Sequence, residues 1–200
     1  MKHWLACSAA AVALTVLGPL ATAPAHAAAE TYEIDPAHLS IGFLVDHVGY
    51  GKVLGMFLKG RGTYRFDEAS GALSAVRVEV ETDSVFSNQR QRDGHLRGDE
   101  FLNARKHPKM VFTAEGAKRT GPRTFEVAGQ LELLGQAHPL TLQATWNKSA
   151  ESPLPGKRYT MGVSARGTVK RSVYGMNYAL SNGWVGDDIE VIIEFEAVRQ

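Results

Sequence analysis

The 200-residue sequence contains one cysteine, Cys7, and it lies inside an N-terminal stretch that reads as a leader. The rest of the chain has no thiol. That excludes a disulfide framework, a cysteine nucleophile and thiolate metal sites. Excess charge of one sign is also missing. The chain has 22 basic and 21 acidic residues; residues 1–27 hold one of the bases, Lys2, and no acid, so 21 of each remain beyond them. Such a balance argues against nucleic-acid binding and against membrane attraction by charge alone. The motifs of common chemistries are missing as well: no HExxH, no G-x-S-x-G elbow, no GxGxxG and no P-loop. Beyond residue 27 the histidines are His38, His47, His95, His107 and His138, with no close pair at helical spacing. No metal site and no catalytic residue is expected from these spacings. Asp99–Glu100 and Asp187–Asp188 are adjacent acids; in extended chain neighbours point apart, which does not give a glycosidase pair.

The leader has a short positive start at Lys2 and an uncharged apolar run from Trp4 to Leu20. "ATAPAHA" follows, with Ala25 and Ala27 in small-x-small spacing, and predicts cleavage after Ala27. The run is slightly short to span a bilayer, so no permanent membrane anchor is expected. Residues 28–200 suffice for one domain with a sizeable core.

From residue 30 the pattern has period two. Val76, Val78 and Val80 alternate with Arg77, Glu79 and Glu81. The same rhythm sets Phe125, Val127, Leu131 and Leu133 against Glu126, Gln130 and Glu132. It recurs at Leu140, Leu142, Ala144 and Trp146, at Met161, Val163, Ala165 and Val169, and at Ile189, Val191, Ile193, Phe195 and Ala197. This is strand spacing with one dry face and one wet face. Less regular strands are expected at 31–47, 52–66 and 109–119, which makes eight. Glycine and proline mark the joints, as in "LGQAHP" and "PLPG". An antiparallel series of this size avoids open edges as a closed barrel or a sandwich. Its dry faces either fill a core or line an apolar tunnel, and the pattern fits both.

One interval breaks the alternation. Between Phe86 and Pro108 lies "RQRDGHLRGDEF", with three arginines, three acids and a histidine in twelve residues. Ser87 or Asn88 is expected to cap one short helix and Asp99 a second, with Gly94 and Gly98 interrupting any longer one. The helices are expected to cover one end of the sheet.

These blocks resemble a known family. "YEIDPAHLSIGFLVDHVGYGKVLGMFLKGRGTYRFD", through Asp35, His38, Phe43, His47, Gly49, Tyr50, Gly55, Phe57, Gly60 and Phe66–Asp67, is similar to the opening of the YceI-like family of exported, lipocalin-like proteins. "RDGHLRGDEFLNARKHPKMVFT", "GQLELLGQAHPLTL" and "YGMNYALSNGWVGDDIEVIIEFEA" resemble its later blocks. The chain departs at Leu39, Gly51 and Gly98, where serine is common, which softens a polar mouth. The resemblance implies an all-β fold: an eight-stranded antiparallel lipocalin-like barrel with a short helical insertion after the third strand. It implies a periplasmic protein that binds an isoprenoid-type lipid, polyisoprenoid or isoprenoid quinone, without a cofactor or a reaction. It is compatible with a homodimer.

On this reading the strands contribute Phe43, Val45, Phe57, Val78, Val80 and Phe112 to the apolar lining. Leu131, Leu142, Trp146, Met161, Val163 and Val191 continue it, and Leu96 and Phe101 enter from the helical segment. His38, His47, Arg92, Asp93, His95 and Arg97 hold a head group or brace the entrance. The stretch at 90–101 is expected to act as a clasp, with Arg92–Asp93 and His95–Arg97 making hydrogen bonds and ion pairs. Two other readings compete: an enzyme with His95 as acid or base oriented by Asp93 or Asp99, and a stress-linked protein-interaction module that uses the barrel as scaffold.

Overall fold

The computed structural model describes Met1 and residues 29–200. The leader and the expected cleavage after Ala27 lie outside the described residues.

Alternating residues build long strands that wrap into one sheet. The chain runs β1 (Glu30–His47), β2 (Gly51–Phe57), β3 (Gly60–Asp67), β4 (Ala72–Glu81), β5 (Val85–Phe86), α1 (Arg90–Leu96), β6 (Lys109–Ala114), β7 (Lys118–Arg119), β8 (Thr124–Leu133), β9 (Gln136–Glu151), β10 (Tyr159–Lys170) and β11 (Val185–Arg199). The hydrogen-bonded order is β11-β10-β9-β8-β6-β4-β3-β1, and β1 pairs back onto β11. All pairings are antiparallel, so eight wall strands close the barrel. The expected strand 52–66 is two pieces, β2 and β3, broken at Leu58–Lys59. Both run along β1, with Ile41 opposite Phe57 and Glu33 opposite Thr63, and together they serve as one wall strand. The expected strand 109–119 likewise divides into β6 and the two-residue β7.

The first strand changes which parity faces inward. Tyr32 and Ile34 are buried, and so are Ile41 and Phe43, although the two pairs differ in parity. The change happens at Asp35–His38, where the pairing with β11 slips between Ile34 and Leu39. The carboxylate of Asp35 accepts the Ala37 amide at 3.0 Å and faces Nδ1 of His38 at 3.0 Å. The family-like Asp35 and His38 therefore pin a bulge, which re-aims the strand. His38 is exposed on the outer wall and takes no part in the cavity. Leu39, expected near a mouth, lies in the wall and lines the cavity.

The two ends differ. One end carries the β3–β4, β7–β8 and β9–β10 turns and is closed. There Tyr32 stacks on Tyr64 at 5.3 Å, and the Glu68 carboxylate accepts the hydroxyls of Tyr32 at 2.6 Å and Tyr159 at 3.1 Å. Tyr32 and Ala197 are fully buried there. The other end carries the β1–β2 turn, the helical segment and the long connection 171–184.

Outside, the wet faces are laced with ion pairs. Glu79 faces Arg61, Arg77 and Lys109 at 2.5 to 3.1 Å. Hydrogen bonds from Arg77, Arg61 and Lys109 lower its pKa from an ordinary 4.5 to about 2. A carboxylate depressed in the fold adds stability above its unfolded value and loses it as pH falls through the folded value. Glu79 therefore supports the fold fully above about pH 4.5 and progressively less toward pH 2. Comparing urea midpoints from pH 5 to pH 2 for the protein and Glu79→Gln will show a shallower acid loss in the variant.

Candidate functional site

The inward residues do not fill the barrel. They enclose a cavity of about 460 Å³, a size typical of small-ligand sites. Two contacts show how space is kept. A Cβ on Gly55 would lie 2.2 Å from the Phe43 ring, and one on Gly129 would lie 2.6 Å from the Phe112 ring. Both rings therefore lie along the wall, over glycine, and leave the lumen open.

The lining is overwhelmingly apolar. Phe43, Val45 and Phe57 contribute from β1 and β2, and Val78, Val80 and Phe112 from β4 and β6. Leu131, Leu142, Trp146, Met161, Val163 and Val191 continue it around β8 to β11, and Leu96 and Phe101 cap it from the helical segment. Ile34, Tyr64, Phe66, Phe125 and Leu140, not among the residues expected in the lining, also line it. The alternating strands do carry that signal at Phe125 and Leu140; at Ile34 the bulge hides it.

The cavity reaches the surface at one end. His47 and Tyr178 are both exposed and cavity-lining, and His95 is half-buried. The opening lies between the β1–β2 turn, α1 and the connection 177–184.

The helical segment is fixed mainly to backbone. There is one helix: Gln89 caps it, accepting the Arg92 amide at 2.5 Å, in place of the expected Ser87 or Asn88. Gly94 lies within it, and the residues around Asp99 form turns in place of a second helix. Asp93 is buried and accepts both the amide and hydroxyl of Ser87, at 2.7 and 2.5 Å. Arg92 donates to the hydroxyl and carbonyl of Ser87 at 2.8 and 2.5 Å. Arg97 donates to the carbonyls of Asp83 and Val85, both at 2.7 Å.

Arg92, Asp93 and Arg97 thus tie α1 to residues 83–87 by hydrogen bonds, and His95 faces Glu100. Asp93 and Arg97 do not line the cavity; Arg92 does. Replacing Asp93 with alanine strands the buried Ser87 amide. It is expected to cost about 1–3 kcal/mol, measured as a lower urea midpoint.

His95 has a different partner from either acid expected. Its Nε2 lies 2.7 Å from Glu100, and Asp93 is occupied by Ser87. Its ring meets Phe101 and Tyr178 edge-on, at 4.9 and 4.7 Å between centroids. The result is an aromatic gate post, braced from outside by a carboxylate. Among the described residues no group of three or more His, Asp, Glu or Cys is placed to hold a metal.

Arg171 was not visible in the sequence as a site residue. It follows β10, is 1% exposed and lines the cavity. Nε donates to Gly186 at 2.7 Å, Nη1 to Met176 at 2.5 Å, and Nη2 to Tyr178 at 2.9 Å and Val185 at 2.8 Å, all backbone carbonyls. Its guanidinium also lies 6.0 Å from the Phe101 ring centre. Burial lowers its proton affinity and Asp187 opposes that. An arginine stays charged even so. One buried side chain therefore shapes the whole connection 176–186 at the mouth.

A closed eight-stranded antiparallel barrel around an apolar cavity, with a helical lid segment, is the class that this geometry defines. The YceI-like domain matches residues 32–197, and the chain belongs to that family. A UPF0312 protein of Pectobacterium atrosepticum is 35% identical over 190 residues, covering 94% of this chain and 96% of that protein. The crystal structure of BcnA from Burkholderia cenocepacia superposes with a TM-score of 0.72 at 17% identity, over 82% of this chain and 98% of that one. A polyisoprenoid binding domain from Saccharophagus degradans, implicated in plant cell wall breakdown, gives a TM-score of 0.63 at 13% identity, over 84% and 98%.

Proposed function

We propose that this protein binds an isoprenoid-type lipid, a polyisoprenoid or an isoprenoid quinone, in the barrel cavity and carries or sequesters it in the periplasm. The carrying observation is the cavity: about 460 Å³, open at one end and lined almost wholly by aliphatic and aromatic side chains. An isoprenoid tail is a branched apolar chain. Each Å² of its surface removed from water returns about 25 cal/mol, less the cost of ordering it. Shape and length, more than charge, then set selectivity. The Saccharophagus degradans domain, by its name a polyisoprenoid binder, supports this reading through the shared fold. The protein acts by binding, and no reaction on the lipid is part of the proposal. The leader-like residues 1–27 support export as part of this reading.

The test is to purify the exported protein without detergent, extract it with organic solvent and weigh the extract. A recurring isoprenoid mass at near one per chain is expected, and a chain mass starting at Ala28. A barrel that is reproducibly empty, and that also fails to take up isoprenoid quinone, overturns the proposal.

A further inference from the structure

Large hydrophobic side chains left in water are distributed unevenly over this barrel. Among residues 29–200, Leu154 is the one at the closed end. Val48, Tyr50, Val173, Tyr178 and Trp184 sit around the open end, and Leu54, Leu58 and Phe86 lie on or beside β2 in the same half. Tyr50 is 94% exposed, Trp184 57%, Tyr178 42% and Val48 41%. Scattered exposed hydrophobics need no explanation, but a cluster at one place does.

The rim is built, not frayed. The Val48 amide donates to the Trp184 carbonyl at 2.7 Å, which ties the β1–β2 turn to the connection 177–184. The Trp184 and Val185 amides both donate to Ala179 at 3.1 Å. Arg171 holds the same connection through Tyr178 and Val185. Tyr178 belongs to both surfaces: its ring lines the cavity and is also open to solvent. Tyr178 thus joins the cavity wall to the exposed rim.

We propose that the open end is a membrane-docking surface, with Val48, Tyr50, Tyr178 and Trp184 seated at the head-group level of a bilayer. This rests on the lipid-binding reading, which supplies the occupant. An isoprenoid tail leaves a bilayer only through its surface, and a mouth in water would force the tail across water. A rim of tyrosine and tryptophan suits that boundary, since each ring has an apolar body and a polar tip. Two surface carboxylates nearby are already paired: Glu190 with Lys52 and Asp188 with Lys170. Docking over the mouth would let the tail pass from bilayer to lumen along one continuous apolar path.

The test uses the exported protein and a double variant, Tyr50→Ser with Trp184→Ser. Neither residue lines the cavity. Vesicles of phosphatidylethanolamine and phosphatidylglycerol, loaded with an isoprenoid quinone, serve as donor. Uptake by the protein is expected to accelerate in proportion to vesicle concentration, as contact-limited transfer does, and Trp emission to shift blue. The double variant is expected to be slower by about tenfold or more. Its uptake of the same quinone from detergent solution is expected to stay unchanged. Equal vesicle rates for the two proteins, or a rate independent of vesicle concentration, overturns the docking proposal. A wild type that sediments as a dimer while the variant is a monomer also overturns it, because the rim is then an interface between copies. Failure of both proteins to take up quinone from detergent marks failure of the lipid reading itself.

Discussion

Replacing Arg171 with methionine will loosen the open end of the barrel and lower stability by about 3–5 kcal/mol. Methionine keeps most of the length and apolar bulk of the stem. What it removes is a set of donors to the carbonyls of Gly186, Met176, Tyr178 and Val185. A hydrogen bond to a charged group contributes about 1.5–3 kcal/mol. Part of that returns when water reaches the freed carbonyls at the mouth, so the sum falls short of four full bonds. Arg171→Lys is expected to recover less than half of the loss, because an ammonium group has no planar fork to reach both sides of the connection. Urea titration of the two variants measures this. Fast amide hydrogen exchange confined to residues 176–186 is the local signature. A loss below about 1 kcal/mol for methionine means that the connection holds itself together without the guanidinium.

The second large effect concerns the lumen. Val78 on β4 and Val163 on β10 lie on strands four places apart in a ring of eight, so they line opposite walls of the cavity. Tryptophan at either place puts a large ring into a space of about 460 Å³. Overpacking is expected to cost about 1–3 kcal/mol of stability, and the folded barrel should survive. Bound lipid is expected to fall by about tenfold or more, the equivalent of 1.4 kcal/mol in affinity. Extraction of the natively purified variants measures it, with far-ultraviolet dichroism as the check on folding. Undiminished lipid in both variants places the ligand somewhere other than between these walls.

Much of the wall was legible before any coordinates. Strands such as 124–133 and 188–198 alternate with few exceptions, Gly129, Ile192 and Val198, and a half-buried strand favours that alternation. On the strands, the apolar residues expected inside border the cavity, since inward parity follows once the dry face is known. Where legibility failed, the cause was local backbone geometry. Asp35–His38 reads as part of a strand, yet it inserts a bulge that inverts the pleat of β1. Gly94 reads as a helix breaker, yet α1 runs through it, tied to residues 83–87 by bonds that Arg92 and Arg97 donate and Asp93 accepts.

The polar residues were less legible still, because their partners are backbone groups. Asp93 and Arg97 resemble members of ion pairs, while their bonds go mainly to the backbone and hydroxyl of residues 83–87. Arg171 stands beside Lys170 at a strand end and looks like solvated charge. Its partners are carbonyls, present at every residue, so no spacing of side chains announces it. The acid beside His95 was misplaced for a similar reason. Glu100 reaches the ring because the chain turns at Gly98, and that turn depends on the packing of Leu96 and Phe101 over the lumen.

Occupancy of the lumen by an isoprenoid-type lipid, as proposed, can be read by native mass spectrometry of the protein purified without detergent. The expected result is a discrete adduct that releases an isoprenoid mass on activation and is depleted in Val78→Trp. A spectrum of bare chain alone, unchanged after incubation with isoprenoid quinone and identical in the variant, would contradict it.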